Sequence, residues 1–466
     1  MPVYSVAPSS DSGDTVPLEI ARHDTIREAP RRTKTPARRN RHIQSGTLTA
    51  GSFDDHERFN DYKDFLSEAL QNDTAEVLPR LEIGRRVMIR VQNTAGNPIG
   101  DARVVVRPAG SQRQDVGRAL LDVRTAGDGR AMFLRARDRT GSQRFRVTVE
   151  PPDDAGPISR VMDVDEGPWT ITVPGATAKL PTRLDLALVI DTTGSMSDEL
   201  EYLKVEIDSI ATAIHRMFPN VDQRYALVLY RDEGDAYVTR TFDFTGSLSE
   251  FRSQLASQSA GGGGDYPEAV HVALEQTGKL DWRARDTARV AFLVGDAPPH
   301  DCYGKPTLDA VNVLAEKGVR LFPVAASGVK LKAEFVMRAA SFLTLGRYLF
   351  LTDHSGVGNP HAEPHVPDYL VEHLNRLMIR MIASELAGKR LAPAEVIAIE
   401  NGEHPVTVPV RIEPERQQQR QQHQQARTAP QRHRWSLASR WSPAWAILGL
   451  AVLFVCVVDA FDKRQT

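Results

Sequence analysis

Cysteine is nearly missing from this chain: two residues in 466, Cys302 and Cys456. That excludes a disulfide framework and a cysteine-built zinc site, and it fits a reducing compartment. Charge of one sign is also lacking. The net charge of −2 gives no global pull towards nucleic acid or acidic lipid, so no nucleic acid is expected as a partner. The first twenty residues have no basic-then-apolar leader profile, and neither Arg31-Arg32 nor Arg38-Arg39 precedes an apolar stretch. Long apolar runs are limited to one, Trp441 to Val458, which is uncharged for 18 residues. At about 1.5 Å per residue it just spans a bilayer, with Trp441 and Trp445 at one interface. Arg427, Arg432, Arg434 and Arg440 precede it, so the expectation is a single C-terminal membrane anchor with the bulk of the chain in the cytoplasm.

What is present suggests two or three domains with tails. Residues 1–46 form a Pro-, Ser- and Arg-rich basic tail expected to be disordered. Residues 47–80 carry Phe59, Tyr62, Phe65, Leu66 and Ala69 at helical spacing, with Ser52 as a candidate N-cap. Such an amphipathic helix must dock on a neighbouring domain. Residues 83–175 alternate like short strands between turn signals such as Ala95-Gly96-Asn97-Pro98 and Gly127-Asp128-Gly129, which predicts a small β-sandwich. Their phrasing resembles carboxypeptidase-regulatory-like or Ig-like modules, and implies a spacer or interaction role.

From 183 to 390 apolar strands alternate with helices. This is the pattern of an α/β fold with a doubly wound, mostly parallel sheet covered on both faces. Tyr237 to Phe244 alternates like an antiparallel edge strand. A long helix is expected from about Pro367 to Leu386, and further strands at Glu395–Ile399 and Val406–Ile412 (residues 391–413). A Gln/Arg-rich linker at 414–440 leads to the apolar run at 441–458.

The chemistry gathers around LDLALVIDTTGSMSDEL, Leu184 to Leu200. An apolar strand stops at Asp191, and Thr193 and Ser195 follow two residues apart. One carboxylate and two hydroxyls aimed at one point offer oxygen alone, which suits a hard divalent cation. A plain strand-to-helix turn capped by Ser197 is the competing reading. The spacing resembles the metal-ion-dependent adhesion site of von Willebrand factor A (VWA) domains.

That resemblance implies ligands from two further loops. One reads GGGGDYPEAV and offers Asp265, where the family commonly has Thr; it resembles a GGGD-x-PE variant. The other reads GDAPPH and offers Asp296. The expected metal set is therefore Asp191, Thr193, Ser195, Asp265 and Asp296. Ser197, Asp232 and Glu268 are candidates to support it, although Asp232 also reads as part of a solvated acidic loop and Glu268 as a helix first-turn residue. His300, His354, His361 and His365 match no common zinc spacing.

The expected cofactor is Mg²⁺, with Mn²⁺ or Ca²⁺ as alternatives. The expected function is non-enzymatic: binding a protein partner whose acidic residue completes the metal shell. The alternatives are a VWA subunit of an ATPase-linked or envelope assembly, and a metal-assisted hydrolase with Asp296 or His300 as base. No phosphate-binding loop is visible, so nucleotide use would have to come from an ATPase partner.

Overall fold

The computed structural model describes residues 45–71, 77–78, 83–109, 119–135, 141–353 and 361–400. In chain order, β1 (Thr49–Phe53) and α1 (Phe59–Gln71) come first. Next are β2 (Arg86–Gln92), β3 (Arg103–Pro108), β4 (Leu121–Arg124), β5 (Arg130–Leu134), β6 (Arg144–Glu150), β7 (Ile158–Asp163) and β8 (Trp169–Thr172). Then follow β9 (Arg183–Asp191), α2 (Ser197–Met217), β10 (Asp222–Tyr230), β11 (Thr239–Thr245), α3 (Leu248–Ala256), α4 (Val270–Lys279) and β12 (Thr287–Gly295). The rest comprises α5 (Gly304–Lys317), β13 (Arg320–Ala325), α6 (Leu331–Leu343), β14 (Tyr348–Thr352), β15 (Glu372–His373), α7 (Leu374–Leu386) and α8 (Pro393–Glu400).

Strands β2 to β8 form two small sheets, β5-β2-β8 and β4-β3-β6-β7. Alternation explains them: Val87, Ile89 and Val91 of β2 and Phe145, Val147 and Val149 of β6 point into one shared core. Phe133, Phe145 and Trp169 meet there, with ring centroids 5.1 to 6.0 Å apart.

The larger sheet runs β11-β10-β9-β12-β13-β14-β1-β15. Its centre, from β10 through β14, is parallel. β11 pairs antiparallel at one edge, as its alternation predicts. β9 is apolar throughout because both faces are covered. Leu184, Leu186, Leu188 and Ile190 pack with Leu203, Ile207 and Ile210 of α2 and Leu377 and Ile382 of α7. Ala187 and Val189 face the opposite layer, with Leu274 of α4, Leu314 of α5 and Val336 of α6.

Three expectations are corrected. Ser52 caps no helix: it lies in β1, which adds antiparallel to β14, so residues 47–80 contribute a strand before their helix. Gly51 makes that pairing possible, since a Cβ there would come within 2.5 Å of the Phe350 ring. Glu395–Ile399 is helical, within α8, because Val396 and Ile399 are spaced to bury one face against α2 and α7. The helix expected from Pro367 begins only at Leu374, after the short strand β15. Residues 1–44 of the basic tail, the strand at Val406–Ile412, the linker and the apolar run at 441–458 lie outside the described residues. Among the described residues no helix is long and apolar enough to cross a membrane.

Candidate metal centre

The sheet leaves its site where parallel strands end. β9 carries its apolar run up to Asp191, whose side chain is fully buried at the carboxyl end of the strand. Asp191 Oδ1 accepts hydrogen bonds from the Thr193 backbone N–H at 2.9 Å and from Thr193 Oγ1 at 2.7 Å. Thr193 Oγ1 lies 3.3 Å from Ser195 Oγ. The Asp-x-Thr-x-Ser spacing thus brings its three oxygens together. Asp296, which follows β12 and is buried, lies near enough to Ser195 for the hydroxyl to act on its charge.

The glycine-rich loop folds directly over this turn. Gly194 N–H donates to Gly262 O at 3.1 Å and Gly261 N–H to Thr192 O at 3.0 Å. Gly262 and Gly263 both adopt positive φ, +81° and +75°, a region costly for other residues. Asp235 holds the loop from the far side by accepting from Gly263 N–H at 2.9 Å. The close packing leaves a Cβ at Gly263 only 3.3 Å from both Thr193 and Glu268.

This loop sorts its two acids differently. Glu268 is buried beside the centre; its N–H donates to Pro298 O at 2.9 Å. Asp191, Asp232 and Asp296 are all close enough to act on its charge. Asp265 is exposed and lies instead with Asp232 and His300. Glu199, from the first turn of α2, is buried next to Asp296 and accepts a short hydrogen bond from Ser327. Ser197 is the exposed first residue of α2 and does not cap it; Met196 holds the cap position, without a side-chain bond.

Sequence reasoning therefore passed over Glu199 and gave Glu268 a minor part. The available signal was their helix first-turn position, where acids are ordinarily explained by the dipole. It also set His300 aside as a zinc ligand, although His300 Nε2 stands 2.8 Å from Asp232 Oδ1.

The electrostatics are lopsided. Burial pushes Asp191 up to about 7, with Asp296 adding to the effect and the Thr193 hydrogen bonds opposing it. Burial first, then Asp191, Asp232 and Asp296, push Glu268 up to about 9. Asp296 is raised by burial, against the opposing effect of the Ser195 hydroxyl. Among the buried side-chain oxygens, Asp191 Oδ2, Glu199 Oε2 and Glu268 Oε2 have no hydrogen-bond partner. The Tyr230 hydroxyl lies near Asp191 without the geometry of a full hydrogen bond.

The other end of β9 makes the comparison. Asp185 is equally buried, but Arg224 gives it two hydrogen bonds at 3.0 Å and Arg283 another at 2.8 Å. Among the described residues no Lys or Arg pairs with Asp191, Glu268 or Asp296. Buried carboxylates left this way cost several kcal/mol each, and an oxygen-ligated divalent ion removes that cost. The residues fit such an ion.

Residues 185–333, which contain this whole loop cluster, match the family described as von Willebrand factor A domain. That span is a VWA domain within a longer chain. Among curated proteins, the chain is 33% identical over 119 residues to the alpha-protein kinase vwkA of Dictyostelium discoideum, covering 25% of this chain and 19% of that one. It is 32% identical over 117 residues to an ariadne-like RING finger protein of Acanthamoeba polyphaga mimivirus, covering 25% and 11%. The chain therefore spans under a fifth of the length of either relative. Among solved structures, proximal thread matrix protein 1 from the mussel byssus aligns at 16% identity and a TM-score of 0.28, covering 34% of this chain and 39% of that one.

Proposed function

We propose that the VWA domain binds a protein partner through a divalent cation held by Asp191, Thr193, Ser195, Asp296 and Glu268. The observation that carries this reading is the contrast along β9: Asp185 is neutralised by two arginines, whereas Asp191 is buried among acids with Oδ2 unpartnered. When bound, the ion supplies a strong point charge with a coordination position that a partner's carboxylate can take. Asp191 and Asp296 contribute charge, the two hydroxyls contribute neutral oxygens, and the glycine loop brings its backbone close without steric cost. Asp265 lies in the exposed part of that loop. Mg²⁺ suits the small oxygen set best. The reading is one of binding and not catalysis, since these residues supply no paired nucleophile and base.

Titration with Mn²⁺, followed by electron paramagnetic resonance and water-proton relaxation, tests this. One Mn²⁺ should bind, retain exchangeable water, and lose part of its relaxation enhancement when acetate is added as a carboxylate probe. Mg²⁺ should compete, and Asp191→Ala should lower affinity at least 100-fold. Absence of Mn²⁺ uptake, or uptake unchanged in Asp191→Ala, would overturn the proposal.

A further inference from the structure

We infer that Asp232, Asp265 and His300 form a second cation site, beside the Asp191 centre, selective for a transition-metal dication of the zinc type. The three residues come from three loops, after β10, before α4 and after β12, and no spacing rule links them. Their ligand atoms nevertheless all lie within 4.8 Å of one another. His300 Nε2 and Asp232 Oδ1 are 2.8 Å apart and share a proton. Donors around one zinc, with bonds of about 2.0–2.2 Å, sit about 3–3.5 Å from each other. Replacing that proton by an ion thus needs only a slight widening of the pair.

An imidazole among the donors distinguishes this site from its neighbour. Oxygen-only sets favour Mg²⁺ or Ca²⁺, whereas one nitrogen with two carboxylates favours zinc and its neighbours in the series. Three protein ligands leave further positions for water or a ligand atom. The site is also built around its histidine. Tyr303 meets His300 edge-on at 6.2 Å and stacks on His271 at 3.8 Å, so the rings position one another.

Two buried groups beside the triad also lack partners, one of them Glu268, which the Asp191 centre shares. Glu268 Oε2 and His271 Nδ1 have no hydrogen-bond partner, and both side chains are more than nine-tenths buried. Asp232 acts electrostatically on each of them. Glu268 thus feels the charge of Asp191 in one centre and of Asp232 in the other. Asp232 is buried and fixed, while exposed Asp265 gives an ion its entry.

The inference does not rest on the Asp191 reading, and one experiment separates them. Untagged full-length protein is held in millimolar Mg²⁺ and dialysed against zinc, with bound metal counted by mass spectrometry. Replacing zinc by Co²⁺ reports the nitrogen donor through its visible absorption. One zinc should bind in the presence of Mg²⁺. His300→Gln and Asp265→Asn, both at partly or fully exposed positions, should each weaken it at least 10-fold with unchanged circular dichroism and melting. Asp191→Asn should retain the zinc, and Glu268→Gln should weaken it by a smaller factor. No zinc uptake, or uptake indifferent to both His300→Gln and Asp265→Asn, would overturn the site. Zinc lost in Asp191→Asn but kept in His300→Gln would assign it to the Asp191 loop and equally refute the inference.

Discussion

Two aspartates on one strand show how little a residue's identity says without its neighbours. Asp185 and Asp191 are both fully buried on β9. Asp185 sits among the guanidinium groups of Arg224 and Arg283, and Arg283 also donates to Leu184 O and Asp222 O. Removing Asp185 leaves two half-buried guanidinium groups without the carboxylate they share. Asp185→Ala should therefore cost about 3–5 kcal/mol in metal-free protein. Asp191→Asn removes charge from a crowded acidic pocket and should leave metal-free stability unchanged or raised by up to about 1 kcal/mol, while abolishing the stabilisation by Mg²⁺. Thermal melts with and without Mg²⁺ measure both. A cost of Asp191→Asn comparable to that of Asp185→Ala would mean that the carboxylate serves the fold and not an ion.

At the scale of elements, residues 45–71 serve the α/β domain instead of standing apart from it. β1 extends the sheet beyond β14, and α1 packs Tyr62 and Phe65 against α6. His56 joins these pieces. Its Nδ1 accepts from Arg86 Nη1 at 2.9 Å, which leaves Nε2–H to donate to Phe342 O at 2.9 Å, and its ring stacks on Phe342 at 4.4 Å. The imidazole is thus fixed in its neutral form. Burial first, then the charges of Arg130 and Arg86, lower its pKa from 6.5 to about 3. A proton taken up only by the unfolded chain lowers stability as pH falls. The contribution is complete above 6.5 and is lost towards 3, at up to about 1.4 kcal/mol per pH unit. Urea unfolding at pH 7 and pH 5 should show a fall that His56→Gln flattens. The same slope in both proteins would remove His56 as its cause.

Across the whole molecule, the β-sandwich is locked onto the VWA domain. Ala126, Met132 and Leu134 of the sandwich share a core with Leu314, Val319 and Leu321. Around them, Arg289 donates to Asp101 at 2.9 Å, Arg124 donates to Asp101 at 3.2 Å, and Arg320 donates to Arg124 O at 2.9 Å. Asp101 adopts φ of 56°, which Asn tolerates as well as Asp, so Asp101→Asn isolates the charge. Loss of that charge leaves the nearly buried Arg289 without its carboxylate and should weaken the interface by about 1–3 kcal/mol. Faster tryptic cleavage at exposed Lys179, between the two domains, together with a split melting transition, would report it. An unchanged cleavage rate would show that the Asp101 charge does not help to hold the domains together.

The sequence by itself determined what local pattern controls. Alternation specified the sandwich, unbroken apolar runs specified the parallel strands, and a carboxylate with two hydroxyls at the end of one run specified the Asp191 turn. These are one-dimensional consequences of the strand period and of burial on both faces. Tertiary structure alone decided which acids share a centre. Glu268 faces Asp191 and Asp265 faces His300 because two positive-φ glycines and the bond from Glu268 N–H to Pro298 O set the path of that loop. It also decided that β1 closes on β14 and that α8 is helical, since a short apolar segment acquires its conformation from the surface that covers it. Distances between loops depend on how the sheet gathers strand ends that are far apart in the chain, and spacing along the chain does not encode them.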